Sequence, residues 1–319
     1  MKKTFLRSAL CAAMLFVSSV VSAQICSQKQ VKVLVPLSPG SGTDVIARTI
    51  FEQVSQQIGQ NVVVENKMGG TGTIAAAIVA KSQPDGCTLL VNTVSHTVVA
   101  TSKNLSYSVT NDFTNISGLI EQPFVIATSV RFKSVADIVK YGLENPGKLN
   151  YGTPGVGSSG HLFMEKFAHA AKIKMVDIPF RGTPEAMTEI MSTRLDMFPA
   201  PVSSMIALSK DNRVNSVAVS TAKRSFALPD VPTVAEAGFP SADYSFWIGL
   251  FAPAGMNSEL VAKIHSEVQR AMASPEVKAK LITLGADQMK KTPTEFDAFV
   301  KREIKNNAEI INRSNITLE

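Results

Sequence analysis

Val31-Lys32-Val33-Leu34-Val35-Pro36-Leu37-Ser38-Pro39-Gly40-Ser41-Gly42-Thr43-Asp44-Val45 carries three signals in succession. Val31 to Val35 is a short apolar run rich in β-branched residues and reads as a buried strand. Pro36, Pro39, Gly40 and Gly42 then stop it. From Val45 to Ile58 apolar residues recur at helical spacing, and Ser41, Thr43 and Asp44 are residues that favour a helix start. Outward from here the alternation continues, with a strand over Val62 to Glu65, a helix over Ile74 to Lys81 and a strand over Thr88 to Asn92. Strands alternating with helices at this spacing imply right-handed crossovers and a mostly parallel sheet.

The same grammar returns farther along. Pro123 to Thr128, Leu149 to Gly152, Met175 to Pro179 and Val217 to Ser220 read as strands, with helices over Val135 to Glu144, Leu162 to Ala171 and Pro184 to Thr193. Phe246 to Ala252 reads as a return strand, followed by helices over Glu259 to Met272, Pro275 to Leu284 and Pro293 to Ile311. A chain of 319 residues exceeds one comfortable core. The expected architecture is α/β with two lobes and an interlobe cleft: residues 24–122 with 246–319 in the first lobe, and 123–245 in the second.

The N-terminus predicts export. Lys2, Lys3 and Arg7 precede an apolar run from Ala9 to Val21, and Val21-Ser22-Ala23 places small residues where a signal peptidase cleaves, after Ala23. The apolar run is shorter than the roughly 20 residues a bilayer span needs. Leu10 before Cys11 and Ile25 before Cys26 are too large for a lipidation signal, so no lipid anchor is expected. Cleavage removes three basic residues and no acid, lowering the formal charge from +6 to +3. That balance favours an anionic ligand and gives nucleic-acid binding no support. Cys26 and Cys87 would remain in a compartment that permits disulfides, each just before a strand. The residues leave open whether the two bridge or stay unlinked.

Small residues cluster where strands hand over to helices, which in open α/β sheets is where ligands bind. The first such junction, Pro39 to Asp44, exposes backbone amides at a helix N-terminus and suits a carboxylate without any basic side chain. Asp44 also fits a purely structural role, complementing the helix dipole. Met68 to Thr73 is a second glycine-rich junction, equally suited to close helix packing. Thr93, Ser95 and His96 follow the third strand. Tyr151 to His161 contains a formal G-x-G-x-x-G with Asp177 on the next strand, the pattern of a dinucleotide-dependent oxidoreductase. Export argues against that reading, because nicotinamide cofactors are not maintained outside the cytoplasm. At the fifth junction Thr183 and Pro184 start a helix, and Arg181 meets either an anion or water. Ser159 lacks the second glycine of a nucleophile elbow, and the four histidines have no companions at metal-ligand spacing. No enzyme activity, cofactor or metal is expected.

With these loops read, the chain from Val31 onward resembles the substrate-binding proteins of tripartite tricarboxylate transporters, the Bug or TctC family. The resemblance rests on Pro39-Gly40-Ser41-Gly42-Thr43-Asp44, Val62-Val63-Val64-Glu65-Asn66-Lys67, Pro84-Asp85-Gly86 and Pro146-Gly147-Lys148-Leu149-Asn150-Tyr151. It continues through Gly155-Val156-Gly157-Ser158 with His161, Ile178-Pro179-Phe180-Arg181-Gly182, Leu228 to Gly238 and Ala252-Pro253-Ala254-Gly255. It implies a type II-like periplasmic binding fold of the Venus-flytrap kind, with the ligand held from opposite sides by the Pro39 to Asp44 and Gly155 to His161 loops. Members bind di- and tricarboxylates, acidic amino acids, or aromatic and pyridine carboxylates, and partner with membrane permease subunits. Ala200 stands where many relatives carry an acid that could meet a ligand amine, which implies a plain carboxylate here. Cys26 and Cys87 are a second departure from the family pattern.

The expected binding residues are therefore Ser41, Gly42, Thr43, Asp44, Thr93, Ser95, His96, Gly157, Ser158, Ser159, His161, Gly182, Thr183 and Ala200. The expected function is capture of a small carboxylate for a transporter. The alternative is delivery of the same acid to an exported sensory system.

Overall fold

The computed structural model describes residues 24–318 other than 103, 181, 209, 210 and 315; the expected signal segment, residues 1–23, and Arg181 lie outside the described residues. In chain order the elements are β1 (Gln30–Val35), α1 (Gly42–Ile58), β2 (Asn61–Asn66), α2 (Thr73–Ala80), β3 (Thr88–Thr93), α3 (Ser95–Val98), β4 (Phe113–Ser129), α4 (Val135–Glu144), β5 (Leu149–Thr153) and α5 (Ser159–Ala171). They continue as β6 (Met175–Pro179), α6 (Thr183–Met191), β7 (Met197–Pro201), α7 (Val202–Ala207), β8 (Val214–Val219), β9 (Ser245–Pro253), α8 (Ser258–Ala273), α9 (Pro275–Thr283), β10 (Asp287–Gln288) and α10 (Pro293–Arg313).

Strand order is β2-β1-β3-β9-β4-β7-β5-β6, with β8 and β10 also paired to β4. β2-β1-β3 and β6-β5-β7 are parallel, as the alternation predicts, whereas every pairing of β4 and β9 is antiparallel. The sheets are thus mixed rather than mostly parallel, because the chain passes between the halves on strands that run against the crossovers. β4 does this within one element. It pairs β9 through Phe113 to Pro123, then β7 and β8 from Phe124 onward. Ser220 braces the crossing: its Oγ accepts from Phe124 N–H at 2.9 Å and donates to the Tyr244 carbonyl at 2.5 Å.

Register sets where the strand ends of the two halves lie. Thr93 at the end of β3 pairs with Ile248, near the start of β9, while Pro201 at the end of β7 pairs with Phe124. The carboxyl ends of the parallel strands in both halves therefore face the same crossing. One apolar cluster on the outer side of the first sheet joins Val33, Ile46, Phe51, Leu89 and Val268. A larger one runs through both halves, from Leu34 and Phe251 to Phe163 and Phe167. Each such side chain contributes roughly 1.5–3 kcal/mol when fully buried. Helix α10 packs on β4, α3 and α5 and so touches both halves.

The N-terminal segment is fastened to the first half. Cys26 and Cys87 form a disulfide with their Cα atoms 4.9 Å apart, closing 61 residues. Gln60 donates to the Cys26 and Gln28 carbonyls and accepts from Ile25 N–H.

Candidate functional site

Two loops on the facing edges are built alike. In the first, Gly40 has φ +79°, Ser41 caps α1 with φ −64° and ψ 157°, and Ser41 Oγ accepts from Asp44 N–H at 3.3 Å. Asp44 reaches back, accepting from Gly40 N–H at 2.9 Å. In the second, Gly157 has φ +79°, Ser158 caps α5 with φ −71° and ψ 157°, and Ser158 Oγ accepts from His161 N–H at 3.3 Å. His161 Nδ1 in turn accepts from Gly157 N–H at 3.4 Å. Glycine is required at both points because L side chains rarely adopt that backbone. The first-turn amides beyond each cap have no carbonyl one turn earlier to bond, so each loop offers N–H groups at a helix N-terminus.

The supports differ in charge. Asp44 is almost fully buried, which would raise its pKa, but hydrogen bonds from Arg48, Gly40 and Asn66 more than offset this and hold it below the ordinary 3.8. Arg48 pairs with it at 3.0 Å and also donates to Asn66 Oδ1. His161 is held below its ordinary 6.5 by burial, against an opposing pull from Asp177 and Glu165. It stays neutral and stacks on Tyr151, whose hydroxyl donates to Glu165 Oε1 at 2.8 Å.

The other first-half loops converge on the same edge. A Cβ built on Gly72 would lie 3.3 Å from Pro36 Cβ and 3.4 Å from the Asn92 amide. Thr93 Oγ1 accepts from Ser95 N–H at 3.2 Å. In the second half Ser159 begins α5 and is mostly buried, and Gly182 and Thr183 open α6 half-buried. Thr153 links these turns, since its hydroxyl accepts from Gly155 N–H and donates to Asp177 at 2.6 Å, and its carbonyl accepts from Phe180 N–H. Asp177, the acid that a dinucleotide reading would need, is thus engaged in bracing the loop.

Three of the expected binding residues have other engagements in the structure. His96 is fully buried between the Phe113 and Phe251 rings, at centroid distances of 4.7 and 4.4 Å, and burial pushes its pKa down to about 3. It belongs to the core, not to the open edge. Ala200 is likewise fully buried, in an apolar cluster with Val125, Phe198 and Val202, because alternation along β7 turns it away while Pro199 packs toward Gly160. Asp44 turns its oxygens to the loop and its neighbours, accepting from Gly40, Arg48 and Asn66. Arg48, Asn66, Glu165 and Thr153 were missed as supports. The recurrence of Gly-Ser-x-x-Asp at 40–44 and Gly-Ser-x-x-His at 157–161 was the signal that could have exposed the paired loops.

Two surface cavities lie elsewhere. One of about 290 Å³ is lined by Tyr107 and Ile304, and one of about 540 Å³ by Phe226 and Ile282. Neither is lined by any of these loops. Among the described residues no cluster of three metal-ligating side chains occurs, and no helix is long and apolar enough to cross a membrane.

Comparison with known proteins places the chain in a family. The family described as "Tripartite tricarboxylate transporter family receptor" matches residues 46–316. A protein of Pseudomonas sp. (strain P51), "UPF0065 protein in tcbD-tcbE intergenic region", is 34% identical over 256 residues, covering 79% of this chain and 76% of that one. Among solved structures, MatC (Rpa3494) from Rhodopseudomonas palustris with bound malate superposes with a TM-score of 0.79 at 29% identity, covering 88% of this chain and 98% of the other. R. palustris Rpa4515 with adipate gives 0.83 at 28% identity, covering 91% and 99%.

Proposed function

Because this chain belongs to the tripartite tricarboxylate transporter receptor family, whose members are periplasmic substrate-binding proteins and not enzymes, we propose that it captures one small carboxylate between its halves and presents it to membrane permease subunits. The observation that carries this reading is the pair of matching loops, Gly40 to Asp44 and Gly157 to His161, on edges that face one crossing. Each supplies helix-start amides to an anion, and neither needs a basic side chain. Malate and adipate in the two structurally similar proteins support a carboxylate as the ligand class.

In this reading residues 24–122 with 246–319 form one lobe and 123–245 the other, hinged where β4 and β9 cross near Pro123 and Ser245. The ligand binds the amides of Gly42 and Thr43, with Thr93 and Ser95 beside them; Ser158, Ser159, Gly182 and Thr183 then close over it. Closure gains only what the ligand adds in the closed form. Residues 1–23 act as the export signal.

The test is direct. Trp247 is fully buried beside the crossing, pairs with Glu121 across the strands and donates to Glu303, so its fluorescence should report a change in lobe angle. Purified protein, unfolded and refolded to strip carried ligand, is titrated with carboxylates and their matched amides. A saturable change with an acid and none with its amide supports anion capture, and ligand at 100 times Kd should add about 2.7 kcal/mol of stability. Silence across the panel would reject the carboxylate. Deletion of the protein followed by radiolabelled uptake tests the transport role; unchanged uptake would reject it in favour of sensing.

A further inference from the structure

Beyond α10, Leu318 packs against the second loop at Gly157. Asn307, in the penultimate turns of α10, donates to Thr97 Oγ1 on α3 at 2.9 Å and accepts from the Tyr244 hydroxyl at 3.3 Å. This fixes the end of the helix against the first half at the carboxyl edge of β3. Ile316 N–H then bonds the Ile311 carbonyl, which turns the chain back, and Ile316 and Leu318 pack onto the cluster shared by both halves. Leu318 reaches the other half: a Cβ built on Gly157 would fall 2.5 Å from Leu318 Cδ2. The equivalent position in the first half, Gly40, has nothing within 4 Å. One of the two matched loops is therefore covered by a leucine, and the other is open.

An isobutyl group against the glycine of an anion loop gives that side of the cleft an apolar wall. Val156, one residue before, is 52% exposed, and Leu37, just before the first-half loop, is 38% exposed. Arg48, the basic side chain on the first loop's helix, is already paired with Asp44 and Asn66. A carboxylate head at the helix-start amides would thus carry its body past apolar groups. We infer that Leu318 is a specificity-determining residue of the binding cleft, and that it favours a carboxylate with an aliphatic or aromatic body over a small hydroxylated one. This rests on the carboxylate reading above and narrows it.

The experiment measures Kd by Trp247 fluorescence and calorimetry for malate, adipate, benzoate and cyclohexanecarboxylate, with wild-type protein and with Leu318→Ala and Leu318→Gln. Wild type should prefer the apolar-bodied acids. Leu318→Gln should lose roughly tenfold for benzoate and cyclohexanecarboxylate while leaving malate within about threefold, since an apolar contact discriminates by about tenfold or more. Leu318→Ala should narrow the same ratio. A positioning effect on the loop alone would scale all four affinities together. That uniform change, or an unchanged ranking, overturns this inference and leaves carboxylate capture standing. Wild-type protein that binds none of the four overturns both.

Discussion

The Gly40 to Asp44 loop and the Gly157 to His161 loop share a backbone to within a few degrees and differ in what locks it. An ionised carboxylate, tied to Arg48 and Asn66, closes the first. A neutral imidazole among Tyr151, Glu165 and Asp177 closes the second. The first lock is strong because three donors meet one charge, and hydrogen bonds to a charged group are worth roughly twice those between neutral ones. The second is a single neutral contact, so it opens at lower cost.

The largest effect should follow from removing the first lock. Asp44→Ala leaves Gly40 N–H without its acceptor and Arg48 with Asn66 alone, and should cost roughly 2–4 kcal/mol in denaturant unfolding, against about 1–2 for His161→Ala. Equal costs would show that the two locks are equivalent after all. Reducing the Cys26–Cys87 bridge should cost about 2–4 kcal/mol and leave ligand affinity unchanged, because the bridge ties the N-terminal segment to the first half away from either loop. A fall in affinity on reduction would place the bridge in the site.

Glycine replacement is the next test. Both glycines sit at φ +79°, so alanine strains both by roughly 1 kcal/mol. Gly157→Ala also meets Leu318 and should cost more than Gly40→Ala by stability measurement. In a Leu318→Ala background the excess should vanish, which a double-mutant cycle reads out.

Acid should act on the second loop before the first. His161, His96 and His265 all have folded pKa values below 6.5, so the unfolded chain takes up protons first as pH falls. Stability is therefore full above about 6.5 and declines below it. His161→Gln should show a shallower decline than wild type over that window. Asp44 has a lowered carboxylate pKa, so its contribution is present above 3.8 and lost only as pH falls through the folded value. Asp44→Asn should leave the decline between pH 6.5 and about 5 unchanged. The smallest effects belong to the caps: Ser41→Ala and Ser158→Ala should each cost about 1 kcal/mol, and by nearly the same amount, since their geometry is the same.

Much of this was legible in the chain. Val31 to Val35, Thr88 to Asn92 and Met175 to Pro179 are apolar runs ended by turn residues, and they are strands in the structure within a residue or two. β7 escaped notice because Pro199 and Pro201 argue against a strand. Its ladder to β5 is a single pairing at Met197, which leaves the prolines at the open edge. The first half of β4 was also missed: Phe113 to Gln122 mixes polar residues with glycine, and its pairing to β9 bridges residues far apart in sequence.

The sequence alone determined the alternation of strands and helices, the placement of glycine and serine at their junctions, and the family, because these depend on contacts within a few residues. Only the tertiary structure decided which junction residues are packed into the core. His96 and Ala200 sit in the same loops and strands as their neighbours, yet packing against Phe251 and Phe198 turns them inward. Leu318 is the reverse case. Nothing local distinguishes it from any other terminal leucine, and it meets Gly157, 161 positions away in the numbering, only because α10 spans both halves.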